Sequence, residues 1–272
     1  MPGFRVMSFN IRFAAAPDHP NDWPSRAELN VRTIRRAAPE LIGFQELEAP
    51  QWDHYHRHLP GYAFHRGLPY NNDPAQPGYA AFAWNADRFE LVDHGGCWLS
   101  PTPDRHGLGW DARCVRCANW LRLRERHTGR TLLHANTHLD HVGATARLEG
   151  ARMIVAELQR RVTPGELVLL TGDFNAAPGS PPHRALLDAG YIDTYLAAGE
   201  VDDRRGWTFH DFTGKASAEH GRIDWILALP NPAPPHATNA HVIRDAEPPL
   251  YPSDHWPITV DLDWPLTAVA DA

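Results

Sequence analysis

Apolar runs in this chain keep stopping at polar clusters. Leu167-Val168-Leu169-Leu170 reads as a strand buried on both faces, and it leads directly into Thr171-Gly172-Asp173-Phe174-Asn175. Side chains two apart in an extended segment share a face, so Asp173 and Asn175 emerge together at the strand's end, where loops build sites. An Asp and an Asn after a strand also suit a plain turn, since both bond their own backbone. Further segments carry the same kind of cluster. Phe4 to Ile11 ends at Asn10, and Leu41-Ile42-Gly43-Phe44-Gln45-Glu46 ends at Glu46. Thr131 to Leu139 sets His134, Asn136 and His138 on one face, with Asp140-His141 following at once. Arg222-Ile223-Asp224-Trp225-Ile226-Leu227 alternates so that Asp224 lies opposite Ile223 and Trp225, and Ser253-Asp254-His255 precedes Trp256-Pro257-Ile258. A stable core needs none of these polar groups.

Between the strands the period lengthens. Ser25-Arg26-Ala27-Glu28 predicts a capping box with Ser25 as N-cap and Glu28 reaching back; Ala27, Val31, Ile34 and Ala38 form the inward stripe, and Pro39 ends the helix. A second helix is predicted from about 144 to 161, with Leu148, Ala151, Val155 and Leu158 inward. Alternating strands and helices indicate a layered α/β domain, and spacing alone leaves both a sandwich and an open doubly wound sheet open. No Gly-x-Gly-x-x-Gly follows the first strand, which counts against a dinucleotide fold.

Six segments in order, Ser8-Phe9-Asn10-Ile11-Arg12, Gly43-Phe44-Gln45-Glu46, Thr137-His138-Leu139-Asp140-His141, Gly172-Asp173-Phe174-Asn175, Arg222-Ile223-Asp224 and Ser253-Asp254-His255, resemble the motifs of the endonuclease/exonuclease/phosphatase superfamily of metal-dependent phosphoester hydrolases. Trp98-Leu99-Ser100, the Arg116 to Trp120 strand and Thr208-Phe209-His210 are weaker likenesses. Many relatives place a Gly-Glu pair before the third motif, whereas Gly78-Tyr79 here carries no acid. The resemblance implies one domain over 1–272, with a loose tail from about 265 to 272. Its fold would be a four-layer α/β sandwich of two packed mixed β-sheets flanked by helices, with the site at one end.

The same resemblance, joined to what phosphoester hydrolysis requires, assigns roles. Glu46 and Asp254 are the expected ligands of Mg²⁺ or Mn²⁺, as one or two ions, with Asn10 and Asp173 beside them. Asp173 positions or activates water, Asn175 donates to a phosphoryl oxygen, and Asp224 fixes the tautomer of His255. His138 stands across the phosphate as acid or oxyanion stabiliser. Asn10, Arg116, Asn136, His141 and His210 are the candidate substrate contacts. Arg116 also reads as a solvated strand arginine beside Arg122 and Arg124, and His210 as ordinary aromatic core with Trp207, Phe209 and Phe212.

Charge narrows the substrate. Lysine plus arginine is 26 against 33 acids, a formal net charge of −7, which is not the basic footprint of a chain that grips long duplex DNA. A small or terminal phosphate ester suits it better. Lys215 is the single lysine, so 25 of the 26 basic residues are arginines, a bias that looks compositional. Three cysteines and no stretch of about 18 apolar residues suit a reducing compartment, and the start lacks a signal-peptide pattern, so a cytoplasmic location is expected. Cys114-x-x-Cys117 lacks a second pair for zinc. His54 and His58 have the i, i+4 spacing of metal ligands, but no third ligand is evident, and a solvated helix face explains them. Three readings follow: a phosphodiesterase or phosphomonoesterase, a DNA or RNA nuclease, and a catalytically silent binding module.

Overall fold

The structure, a computed structural model, describes residues 3–70, 78–231 and 235–264. The expected tail at 265–272 lies outside the described residues. In chain order the elements are β1 (Phe4–Asn10), α1 (Trp23–Ala37), β2 (Leu41–Leu47), α2 (Ala49–His58), β3 (Tyr62–His65), β4 (Tyr79–Asn85), β5 (Phe89–Trp98), β6 (Cys117–Glu125), β7 (Thr131–His138), α3 (Ala144–Gln159), β8 (Leu167–Asp173), α4 (Pro181–Asp188), β9 (Ile192–Asp193), α5 (Thr194–Ala197), β10 (Asp224–Leu229), β11 (His236–Val242) and β12 (Ile258–Asp263).

The strands form two six-stranded mixed sheets, ordered β11-β12-β1-β2-β4-β3 and β5-β6-β7-β8-β10-β9. Period-two alternation explains why they pack face to face with helices outside. Phe4 and Val6 of β1, Leu41 of β2, Leu132 of β7, Leu167 and Leu169 of β8, Ile226 of β10 and Val260 of β12 meet in the layer between the sheets. Met7, Phe9, Ile42 and Phe44 point the other way, onto Val31 and Ile34 of α1 and Tyr55 of α2. Leu133, Val168, Leu170 and Trp225 point outward from the second sheet onto Ile154 and Leu158 of α3 and Leu186 of α4. The result is the four-layer sandwich that the motifs implied.

The layer between the sheets changes character along its length, and this places the site. Each inward row starts apolar and turns polar: Val6 gives way to Ser8 and Asn10, Leu132 to His134, Asn136 and His138, and Leu169 to Thr171 and Asp173. In the middle zone Asn136 donates to Phe44 O at 2.7 Å and Ala81 O at 2.9 Å, and accepts from Gln45 at 2.8 Å and Thr171 at 3.1 Å. This polar layer saturates Asn136 and leads toward the carboxylates, while Gln45 Oε1 and His134 Nδ1 within it are buried without partners. Gly43 makes room for it, since a Cβ there would fall 2.1 Å from Thr171 Oγ1.

Two helix expectations need correction. α1 starts at Trp23, with Asp22 as N-cap, and Ser25 donates to Asp22 Oδ1 at 2.8 Å instead of capping the helix. Pro24 gives up no hydrogen bond in a first turn, and burying Trp23 rewards the earlier start. At the other end Ala37 takes the last buried place, while Ala38 is the left-handed, exposed C-cap with φ 46°. In α3 the buried stripe is Ala146, Gly150, Ala151, Ile154 and Leu158, and Leu148 and Val155 sit at its half-buried edge.

Candidate active site

Strand register assembles the centre. β7 and β8 run parallel and set His138 beside Asp173, while β10 runs antiparallel to β8 and sets Asp224 on Asp173's other side. Three titratable side chains thus form one row across the second sheet. Asn10 arrives from the first sheet, and its Nδ2 donates to Asp173 Oδ2 at 2.9 Å and to Glu46 Oε1 at 3.2 Å, joining the two sheets at the polar end.

Glu46 reaches that end through a bulge. The β2–β4 register shifts between Phe44 and Leu47, and Glu46 holds φ 65°, a left-handed conformation that few non-glycine residues adopt. Asn175 (φ 46°) and Arg12 (φ 54°) share this geometry. Such backbone persists where surrounding contacts over-determine it. Here Phe13 N donates to Glu46 Oε2 at 2.9 Å, Asn175 N donates to Asp173 Oδ1 at 2.9 Å, and the buried Arg26 guanidinium holds the Ile11 and Arg12 carbonyls at 2.5 and 2.6 Å.

The segment before β12 closes the ring. Ser253 Oγ donates to Asn10 O at 2.7 Å, which fixes the two residues that follow. Asp254 then faces Arg12 at 3.6 Å, and His255 Nδ1 lies 2.8 Å from Asp224 Oδ2 with its Nε2 3.8 Å from Asp173. On the opposite wall His138 Nε2 lies 3.0 Å from Asn175 Nδ2 and 3.4 Å from Asp173 Oδ2. These groups open into a cavity of about 840 Å³, also lined by Phe13, Tyr70, Arg113, Arg116, His141, Phe209 and His220.

Electrostatics divide the titratable groups. Burial, and then Asp224, push Asp173 up to about 7 against His255, Asn10 and the Asn175 amide. Burial opposes charge on His255, but Asp224 and Asp173 outweigh it and push the imidazole up to about 10. Burial, and then Arg116, His255 and His141, hold His138 well below the ordinary histidine value, so it is neutral. Asp254 is raised by burial and by Glu46 against His255 and Arg12.

The residues fit a hard divalent cation. Glu46 and Asp254 bring two carboxylates into one buried neighbourhood, and Asp224 Oδ1 has no hydrogen-bond partner. Asp173, Asp224 and His255 also offer ligand atoms within 4.8 Å of one another.

Most of the expected residues converge, and two do not. Asn10, Glu46, His138, Asp173, Asn175, Asp224, Asp254 and His255 share the centre. Arg116 and His141 lie on the cavity wall, 3.4 Å apart, while Arg122 and Arg124 are spent on Glu166 and Glu90 at 2.7 and 3.0 Å. Asn136 is not a cavity residue, because all its bonding capacity is used between the sheets. His210 is also off the cavity wall: it stacks on Trp256 at 3.9 Å, and its Nδ1 accepts from Gly214 N at 3.3 Å. Asp140 is a loop brace, accepting from the Val142 and Gly143 amides on one oxygen and from Arg113 and Cys114 on the other. Sequence reading gave no role to Arg12 or Tyr70. Arg12 was legible, being the same-face partner of Asn10 two positions on, but nothing local marks Tyr70, whose ring meets His138 edge-on at 5.8 Å and carries Arg116 at 5.5 Å.

A two-sheet α/β sandwich gathers carboxylates, histidines and amides at one end. The family model described as Endonuclease/Exonuclease/phosphatase family matches residues 7–255, and the chain belongs to that family. Solved structures agree. A family protein from Bacteroides thetaiotaomicron is 28% identical with a TM-score of 0.87, covering 98% of this chain and 100% of its own. A mannosyl-6-phosphatase from the same organism is 28% identical with a TM-score of 0.86, covering 95% and 99%. D. rerio TDP2, in complex with single-strand DNA product, shares the fold at 16% identity and a TM-score of 0.76, covering 96% and 99%. No curated protein matches the chain in sequence. Among the described residues no helix is long and apolar enough to cross a membrane.

Proposed function

We propose that this chain is a divalent-metal-dependent phosphoester hydrolase acting on a small or terminal phosphate, with a phosphomonoester favoured. The observation that carries the reading is the Asp173 carboxylate, buried within reach of Asn10, His138, Asn175 and His255 at the base of an open cavity. Poised near neutrality, Asp173 accepts a proton from the attacking water. Asn175 Nδ2 donates to His138 Nε2 and Leu139 O at 3.0 Å in the free protein. When substrate enters, it turns one hydrogen to a non-bridging oxygen, and neutral His138, relieved of that bond, takes the Nε2–H tautomer and donates to another. The His255 imidazolium, held by Asp224, adds positive charge where the phosphoryl group gains negative charge. Arg116 and His141 face the rest of the substrate from the cavity wall. A divalent ion held by Glu46 and Asp254 beside Asn10 would neutralise phosphoryl charge and make water easier to deprotonate.

Two points favour a small monoester: the likeness to a mannosyl-6-phosphatase at 28% identity, and a net charge of −7 that disfavours long nucleic acid. The test is hydrolysis of a sugar phosphate, a phosphodiester dye and a labelled oligonucleotide side by side, each with Mg²⁺, Mn²⁺ and EDTA. Cleavage of the sugar phosphate that EDTA abolishes is the expected result. Preferential cleavage of the oligonucleotide would replace this reading with a nuclease, and silence on all three would favour a binding module.

A further inference from the structure

The helical layer outside the first sheet carries a second cluster of metal-ligating groups. Sequence spacing offered His54 and His58 one turn apart on α2 without a third donor. The fold supplies one: Glu28 of α1 lies alongside, and one ligand atom from each of Glu28, His54 and His58 falls within 4.8 Å of the others. We propose that Glu28, His54 and His58 form a binding site for a divalent transition ion of the zinc type, separate from the cavity.

Geometry and chemistry argue for it together. Two donors each about 2.0–2.1 Å from a tetrahedral ion stand about 3.3 Å apart, and His54 Nε2 lies 3.5 Å from Glu28 Oε1. That nitrogen is buried and has no hydrogen-bond partner, so the protein leaves its lone pair or proton unused. The His54 ring is held edge-on to Trp23 at 5.6 Å, while His58, stacked on it at 4.2 Å and 28°, turns about its side-chain bonds to bring a ring nitrogen to the ion. Glu28 is 66% exposed, which leaves the cluster open to an entering ion and to a water as fourth ligand. Two imidazoles and one carboxylate suit Zn²⁺, Co²⁺ or Ni²⁺ and not the harder Mg²⁺.

Such an ion would clamp α1 to α2, and both helices hold the wall of the cavity. Arg26 of α1 and Gln51 of α2 donate to the same carbonyl, Arg12 O, at 2.6 and 2.7 Å. The ion therefore ties together the two supports of the loop that carries Arg12 and Phe13.

The test uses the full chain in excess Mg²⁺, which occupies the hard-oxygen site, and titrates it with Zn²⁺ by calorimetry and with Co²⁺ by visible absorption. The wild type should bind one equivalent more than His58→Ala, and Zn²⁺ should raise the melting temperature of the wild type alone. Glu28→Gln, on the exposed surface, should retain the fold and weaken that binding at least about tenfold, as loss of a ligand or its orientation does. Glu46→Gln should keep the extra equivalent, so failure of the cavity assignment would leave this result standing. Equal stoichiometry in wild type and His58→Ala, or loss of the equivalent in Glu46→Gln, would overturn the proposal.

Discussion

His255 Nδ1 lies 2.8 Å from Asp224 Oδ2, and strand pairing sets Asp224 directly beside Asp173. The carboxylate fixes which ring nitrogen carries the inward proton and so leaves Nε2 facing Asp173 and the cavity. Asp224→Asn keeps the shape and removes both the charge and the tautomer preference. Turnover should fall at least about a hundredfold with little change in KM, because the lost interaction strengthens as charge develops on phosphorus. Circular dichroism should be unchanged. Steady-state kinetics within fivefold of wild type would remove the pair from the reaction.

Asp173 gives a stability prediction with a definite sign. Its carboxyl is pushed up to about 7 in the folded chain, first by burial and then by Asp224. A carboxyl raised on folding favours the protonated native state, so stability is greatest below the unfolded value near 4 and is lost as pH rises from there through about 7. In EDTA, Asp173→Asn should match the wild type at pH 5 and melt several degrees higher at pH 8. The same variant should lose hydrolysis. A melting temperature lower than wild type at pH 8 would mean that ionised Asp173 stabilises the metal-free fold.

Glu46 belongs to the opposite sheet from Asp173, and Asn10 Nδ2 touches both. If Glu46 holds the ion, Glu46→Gln removes a charged ligand, and half-maximal Mg²⁺ should rise at least about tenfold while turnover at saturating Mg²⁺ falls less. EDTA should silence the wild type and excess Mg²⁺ restore it. A Mg²⁺ titration that superimposes on the wild type's would take Glu46 out of the metal's coordination.

What could be read from sequence follows from what alternation encodes. Period two put Asp173 in line with Leu167 and Leu169, and His138 in line with His134 and Asn136, so the polar end of each strand was visible before the fold was known. Alternation does not say how far a row runs before the opposite sheet stops covering it. Alternation therefore put Asn136 and His138 on one face and both near substrate, although one is sealed between the sheets and the other opens on the cavity. The capping box failed for a related reason: Ser25 and Glu28 satisfy a local rule, but burial of Trp23 and the reach of Arg26 to the Pro252 carbonyl at 3.1 Å are long-range and set the helix start. Tyr70 and the pairing of Glu28 with His54 arise only when separate segments meet.

Gly43 tests the polar layer independently of any catalytic role. A Cβ at this position would meet Thr171 Oγ1 at 2.1 Å and Asn136 Oδ1 at 2.7 Å. Those atoms are pinned, since Thr171 Oγ1 also lies 3.2 Å from Ala135 O and 3.0 Å from His134 Nε2. Gly43→Ala should therefore cost about 1–3 kcal/mol, the usual penalty of overpacking, read by urea denaturation. An unchanged midpoint would show that the two sheets can separate at this layer.

Arg222 precedes Asp224 in one of the six motifs, yet its side chain is fully buried away from the cavity and spent on structure. It donates to Asp193 Oδ2 at 2.6 Å and Oδ1 at 3.3 Å, lies 3.4 Å from Asp202, and sits over the Tyr195 ring. Arg222→Met fills much of the volume but leaves Asp193 buried with only His183 and a backbone amide, so unfolding free energy should drop by about 3–5 kcal/mol at pH 7. Burial raises the Asp193 carboxyl, but His183 and Arg222 outweigh it and hold it below its ordinary value. A depressed carboxylate stabilises above the unfolded value and loses that contribution as pH falls through the folded one. The difference between wild type and variant should therefore be full at pH 7 and shrink below about pH 4. KM should be unchanged at temperatures where the variant is folded. A raised KM with unchanged stability would instead make Arg222 a substrate contact.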